Sequence, residues 1–184
     1  MYYDIFILGC LVEKPLHGYY IKKKLEEAFD VCTTINNNTL YSILKKYESA
    51  GVIVKTVDLL SEGPSRNVYH ITSKGKKYFV EILWDVTEVI IKNRDEFMMR
   101  IFYFDFMNPF SRKKVLDLRE RFLKSAMKKM NDISEVNDSM FAPKNKDLIT
   151  YYNKILEEEM YLINQMRNRV DCLCRMNEDG DLQI

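Results

Sequence analysis

Six cations and a run of short polar side chains carry the strongest chemical signal in this chain. Lys22, Lys23 and Lys24 are consecutive, Lys45 and Lys46 are adjacent, and Arg66 ends the turn-forming run Ser61-Glu62-Gly63-Pro64-Ser65-Arg66. Lysine and arginine neutralise phosphates and release their counterions, which gives affinity for a duplex but little sequence information. Between the first two clusters lie Asn37, Asn38, Thr39, Tyr41 and Ser42. An Asn amide can bond adenine bidentately, and Ser or Thr hydroxyls can bond several base edges. Asn37 and Asn38 read equally well as turn and cap residues. The expected chemistry is non-covalent recognition of nucleic acid. Lys22, Lys24, Lys45 and Lys46 would sit on backbone phosphates, Asn38, Thr39, Tyr41 and Ser42 on bases, and Ser65, Arg66 and Asn67 at a third contact.

Covalent chemistry has no comparable signal. The chain has no Gly-rich phosphate loop, no G-x-S-x-G elbow and no H-E-x-x-H. Cys10 and His17 would make a nucleophile and base only if the fold brought them together, and structural roles account for both. Glu157, Glu158 and Glu159 are consecutive on a predicted helix, so they fan around it as a solvated face. Cys10, Cys32, Cys172 and Cys174 match no zinc spacing and read as thiols of a reducing cytoplasm. The expectation is a protein that is not an enzyme and carries no metal and no cofactor.

The elements that must position these residues follow from periodicity. Ile5, Leu8, Leu11 and Val12 predict a helix over 4–12, with Asp4 at its cap or first turn. A second helix runs from about 17 to 29, with Tyr20, Ile21, Leu25 and Phe29 inward and the three lysines on its other side. Residues 30–37 read as a connector. Asn38 or Thr39 can cap a third helix carrying Leu40, Tyr41, Leu44, Tyr47 and Glu48, closed by Gly51. A β-rich run over 52–60, the turn cluster, and a returning strand over 68–72 complete the order helix, helix, helix, strand, turn, strand. That order is a winged helix-turn-helix, which touches a duplex at the three places where the cations fall.

The rest of the chain reads as all-helical. Ser73 is a candidate cap for a helix from 74 that continues through Tyr78, Ile82, Leu83, Val86, Val89 and Ile90. A further helix covers 93–106, and Asn108-Pro109 breaks it. Ser111 opens the next, with Leu116, Leu123, Ala126, Met130 and Ile133 on one seam and Arg119 as the exception. Residues 138–146 read as a loop, and 147–176 as a last long helix. There Tyr152, Leu156, Ile163, Met166, Val170 and Leu173 recur at gaps of 4, 7, 3, 4 and 3, with Glu159 in the missing position. This heptad-like seam suits a neighbouring helix of the same chain or a second copy, and its six residues are the expected dimerisation set. Trp84, the only tryptophan, stands with Phe79 and Phe97 as a candidate aromatic wall for a flat ligand. The same residues read equally as core.

The fold class is therefore mainly α with a small β-hairpin. Residues 1–80 form an N-terminal winged helix-turn-helix, and residues 81–184 an all-helical C-terminal dimerisation domain that a ligand could address. The 184 residues carry 28 Lys and Arg against 27 Asp and Glu, a net charge of +1. Residues 1–80 hold 11 against 8, and residues 81–184 hold 17 against 19, so a mildly basic part and a mildly acidic part nearly cancel. No apolar run is long enough to span a membrane. Met1–Leu11 lacks a basic flank and does not read as a secretory signal.

Several blocks in order resemble one family. Ile7-Leu8-Gly9-Cys10-Leu11, then Pro15-Leu16-His17-Gly18-Tyr19, then Leu40 through Ile53, then Gly63-Pro64-Ser65-Arg66-Asn67-Val68-Tyr69-His70-Ile71-Thr72-Ser73-Lys74-Gly75 are similar to PadR transcriptional regulators. Ser42 stands where the family often has Pro, Asn67 where Lys or Arg is common, and Tyr47 where Leu is usual. The resemblance implies a dimeric, usually repressing, cytoplasmic regulator on a palindromic duplex site. It also implies C-terminal helices that form the dimer interface and release by a small aromatic or phenolic effector. A winged-helix module that binds protein instead of DNA is the competing reading.

Overall fold

In the computed structural model, residues 2–29, 35–58, 66–135 and 146–180 are described. The chain divides into two compact units: Met1–Asp85 with Met98–Phe106, and Val86–Phe97 with Met107–Ile184. One break falls after Asp85, one residue past a helix end, and another falls within the helix Arg94–Phe102.

The first unit is built on α1 (Tyr2–Glu13), whose residues from Ile5 to Leu11 are all buried. A helix apolar on every side belongs inside a core, and α1 packs against α2, β3 and α4. Leu16 and His17 then form a two-residue strand, β1, which the periodicity does not reveal. In α2 (Gly18–Phe29), Ile21 and Leu25 are buried, but Tyr20 is 44% exposed rather than inward. Tyr20 lies one residue, about 100°, off the Ile21–Leu25 stripe.

Helix α3 (Asn37–Ser49) starts earlier than expected. Its cap is Asn36, whose side chain accepts from the Thr39 N–H at 2.8 Å, so Asn38 and Thr39 are already helical. Gly51 closes the helix at φ +68, the left-handed conformation a C′ glycine supplies without strain. Strands β2 (Ile53–Asp58) and β3 (Arg66–Ile71) pair antiparallel, and β1 adds to the other edge of β3, giving the order β1-β3-β2. Leu16 faces Tyr69, and Asp58 faces Arg66 at the open end of the wing.

Helix α4 (Ser73–Trp84) is capped by Thr72, not Ser73. The Thr72 hydroxyl accepts from Gly75 N–H at 3.0 Å and shares its own hydrogen between the Gly51 and Val52 carbonyls, at 2.8 and 3.0 Å. Gly75 lies so close that an added Cβ would meet the Val52 carbonyl oxygen at 2.1 Å. The T-x-x-G run thus ties α4 to the start of the wing.

The expected continuation of α4 to Ile90 is broken. Thr87 caps a separate helix α5 (Glu88–Lys92), accepting from the Ile90 N–H at 3.3 Å. The buried Arg100 guanidinium, in α6 (Arg94–Phe102), donates to the Ile82 and Asp85 carbonyls at 3.3 and 3.1 Å and so satisfies the end of α4. The helix expected over 93–106 likewise stops at Phe102 and is followed by a 3-10 turn at Phe104–Phe106.

The second unit holds α5, the start of α6, α7 (Pro109–Glu135) and α8 (Lys146–Gly180). Asn108 caps α7 by accepting from the Ser111 N–H at 2.8 Å, and Pro109 takes the first helical position. The expected opening at Ser111 is therefore two residues late. Helix α7 packs against both α5 and α8. Arg119 and Glu159, the two polar residues on otherwise apolar seams, meet each other. Arg119 Nε donates to Glu159 Oε1 at 2.6 Å, and Nη1 donates to the Ile91 and Lys92 carbonyls at 2.7 and 2.8 Å. Phe97 and Phe122 lie with ring centroids 5.3 and 4.9 Å from the same guanidinium. Ile163 and Val170 are buried within this single copy, Leu156 and Met166 are half-buried, and Tyr152 is exposed. The side chain of Leu173 lies outside the described residues.

Candidate nucleic-acid interface

Helix α3 separates its residues cleanly. Leu40, Leu44 and Tyr47 are buried in the first unit, while Asn38, Tyr41, Ser42 and Lys45 are exposed. Positions 38, 41, 42 and 45 follow i, i+3, i+4 and i+7, so they share one helix face. That face offers an amide, a phenol, a hydroxyl and an ammonium, a set suited to base edges and phosphate oxygens. Tyr47 anchors the opposite face by donating to Asp4 Oδ1 at 2.6 Å. Burial, followed by that bond, holds its hydroxyl proton far above the usual tyrosine range, so it stays a neutral donor. Lys46 is exposed, its ammonium 5.4 Å from the Tyr47 ring centroid.

The cations of α2 are less free than their sequence suggests. Lys22 pairs with Glu26 at 3.6 Å and donates to the Asn37 side chain at 3.4 Å. Lys23 pairs with Glu27 at 3.7 Å. Such long surface pairs contribute about 0–1 kcal/mol, so a phosphate can replace the carboxylate. Lys24 differs: it donates to Glu13 at 2.6 Å, and that bond raises its pKa. This pair links α2 to the end of α1.

On the wing, Asn67 is exposed in β3 and Arg66 is its first residue, with only its backbone described. Ser65 lies outside the described residues. His17 Nδ1 donates to the Asn67 carbonyl at 3.1 Å, joining β1 to β3 just before α2 begins. This link was missed from sequence, although Pro15-Leu16-His17-Gly18 was the signal: an extended start, then a helix opening on glycine. Cys10, the other residue considered with His17, faces elsewhere. Its thiol is 3.8 Å from the Tyr103 hydroxyl, and burial pushes its pKa up to about 11, so at neutral pH it is not a nucleophile.

The candidate ligand residues divide between the two units. Phe79 is buried in the first unit, edge-on to Tyr103 and Phe106. Phe97 is buried in the second unit beside Arg119. Trp84 is 42% exposed.

Residues 7–81, which run from within α1 through most of α4, match the model of the transcriptional regulator PadR-like family. An uncharacterised Lysinibacillus sphaericus protein is 33% identical over 86 residues, covering 47% of this chain and 79% of that one. The chain belongs to the PadR-like family. Within it, the negative transcriptional regulator PadR of Bacillus subtilis is 24% identical over 136 residues, covering 74% of this chain and 73% of that protein. A solved PadR family transcription regulator from Clostridium difficile is 31% identical, covers 43% of this chain and 80% of that one, and has a TM-score of 0.38.

Proposed function

We propose that this PadR-like regulator acts in the cytoplasm as a non-enzymatic, DNA-binding repressor on a palindromic operator. The observation that carries this reading is the face of α3. Asn38, Tyr41, Ser42 and Lys45 are exposed along one line while Leu40, Leu44 and Tyr47 seat the helix from behind. Thr39 sits beside that line, and Lys22 and Lys46 flank it. The wing residues Ser65, Arg66 and Asn67 supply the second approach to the duplex. The name of the B. subtilis relative, a negative regulator, favours repression.

A two-fold dimer would present two copies of α3, and we place its contact on α8. Ile163 and Val170 hold α8 within one copy, leaving Tyr152, Leu156 and Met166 for the partner, with Leu173 next on the same sequence seam. Release by a small aromatic effector would shift the population toward dimers with mis-spaced recognition helices. Of the three aromatic candidates, exposed Trp84 is accessible without opening a core.

The test is binding of purified protein to duplex across a salt series. Replacing both Lys45 and Arg66 by Ala should weaken binding and flatten the logarithmic salt slope by about one for each lost phosphate contact. Duplex binding that ignores salt, or a double variant with unchanged slope, would defeat the DNA reading and favour a protein partner.

A further inference from the structure

Gly18 opens α2 and is buried, although a helix favours alanine over glycine. Its φ is not positive, unlike that of Gly51, so the backbone there would accept a side chain. What leaves no room for one is Tyr41 of α3. A Cβ added at Gly18 would meet the Tyr41 ring at 3.0 Å (Cε1) and 3.3 Å (Cζ), and its hydroxyl oxygen at 3.2 Å. Carbon atoms in comfortable contact stand about 3.5–4.0 Å apart. The Tyr41 phenol therefore rests on the bare backbone of Gly18.

This seat is fixed from outside both helices. Leu16 and His17 pair with Tyr69 and Val68 of β3, and His17 Nδ1 donates to the Asn67 carbonyl at 3.1 Å. Gly18 follows at once, so the wing strand sets its place. Helix α3 is held from behind by buried Leu40 and Leu44, and Lys22 of α2 donates to the Asn37 side chain at 3.4 Å. Tyr41 is itself 48% exposed, between Asn38 and Lys45 on the face offered to DNA. A side chain at position 18 would push this ring outward, toward another rotamer, without disturbing the core. Gly75 is the opposite case: there the atom met is a backbone carbonyl oxygen, which cannot yield.

We propose that Gly18 is a positioning residue for sequence reading: its missing side chain is the seat that aims the Tyr41 phenol, and so sets specificity at the position Tyr41 meets. The proposal rests on the DNA-binding reading above. It assigns a recognition role to a residue that offers the duplex no side chain of its own. It also ties that role to the wing, because the Gly18 seat is carried by the β1–β3 pairing.

The test uses the full-length protein with a duplex selected from random DNA, single-base variants of that duplex, and an unrelated duplex. Gly18→Ala should keep or raise the thermal midpoint, since alanine favours the helix and no positive φ is at stake. It should weaken the selected duplex about tenfold, the cost of one lost base contact. Affinity for the unrelated duplex should stay within about twofold, because the phosphate contacts remain. The relaxed preference should fall at the same position that Tyr41→Ala relaxes. Added to Tyr41→Ala, Gly18→Ala should change affinity by less than about twofold, because the group it displaces is already gone. Additive losses in the double variant, or a lowered midpoint in Gly18→Ala, make Gly18 a packing residue and overturn the proposal. A nuclear Overhauser contact between Gly18 Hα and the Tyr41 ring protons reads the seat without DNA, and its absence in the wild type also overturns it. That contact in a protein that binds no duplex defeats the DNA reading, and with it the recognition role, and leaves only the seat standing.

Discussion

Glu159→Ala should lower the stability of the helical unit by about 3–5 kcal/mol, read as a fall in the urea midpoint by far-UV circular dichroism. The carboxylate and its partner Arg119 are 7% and 3% exposed. Removing the carboxylate leaves a guanidinium out of water with only the Ile91 and Lys92 carbonyls and two aromatic rings around it. The large loss is the cost of the abandoned charge and does not measure what the intact pair contributes. The double variant Arg119→Met/Glu159→Leu discriminates between the two. It removes both charges at similar volume and should recover most of the stability lost in Glu159→Ala. A loss under about 1 kcal/mol in Glu159→Ala would mean that water reaches the guanidinium and that the pair behaves like a surface bridge.

Gly75→Ala should destabilise the first unit by about 3 kcal/mol, at the upper end for overpacking. The added methyl would stand 2.1 Å from the Val52 carbonyl oxygen, which also accepts from Thr72 N–H at 3.0 Å. Backbone held in this way cannot swing aside as a side chain could. The contrast is Gly51→Ala, where nothing lies within 4 Å and the only cost is the positive φ. That variant should lose about 1–2 kcal/mol. Thermal melts of the two variants separate steric clash from backbone strain. Gly75→Ala equal to or milder than Gly51→Ala would contradict the close approach.

Both residues show what the sequence could and could not disclose. Arg119 and Glu159 each stood out as polar intruders on an apolar seam, so their places were legible. Their pairing was not, because periodicity assigns a residue to a face and says nothing of which helix the face meets. The winged helix-turn-helix was legible because its turns are marked by Pro15, Gly18, Gly51 and the 61–66 cluster. Caps were misplaced by one to three residues at Asn36, Thr72 and Asn108, since several neighbouring Asn, Thr and Ser side chains can each make the same bond. The break after Trp84 was hidden for another reason: the carbonyls it frees are satisfied by Arg100, 15 residues and more away in sequence. On α3, Leu40, Leu44 and Tyr47 are buried while Tyr41, grouped with them by periodicity, is exposed. The pairing of Lys24 with Glu13 was not legible, because the two are brought near only by folding.

Selection of bound duplexes from a random DNA pool by the full-length protein tests the central claim most directly. The account predicts enrichment of a palindromic consensus whose half-sites are centred about one helical turn, roughly 10 base pairs, apart. It also predicts that Asn38→Ala relaxes preference at particular positions of that consensus, while Lys45→Ala weakens binding evenly across sequences. A pool that emerges without enrichment, or with a preference that Asn38→Ala leaves untouched, would contradict the assignment of α3 as the reading helix.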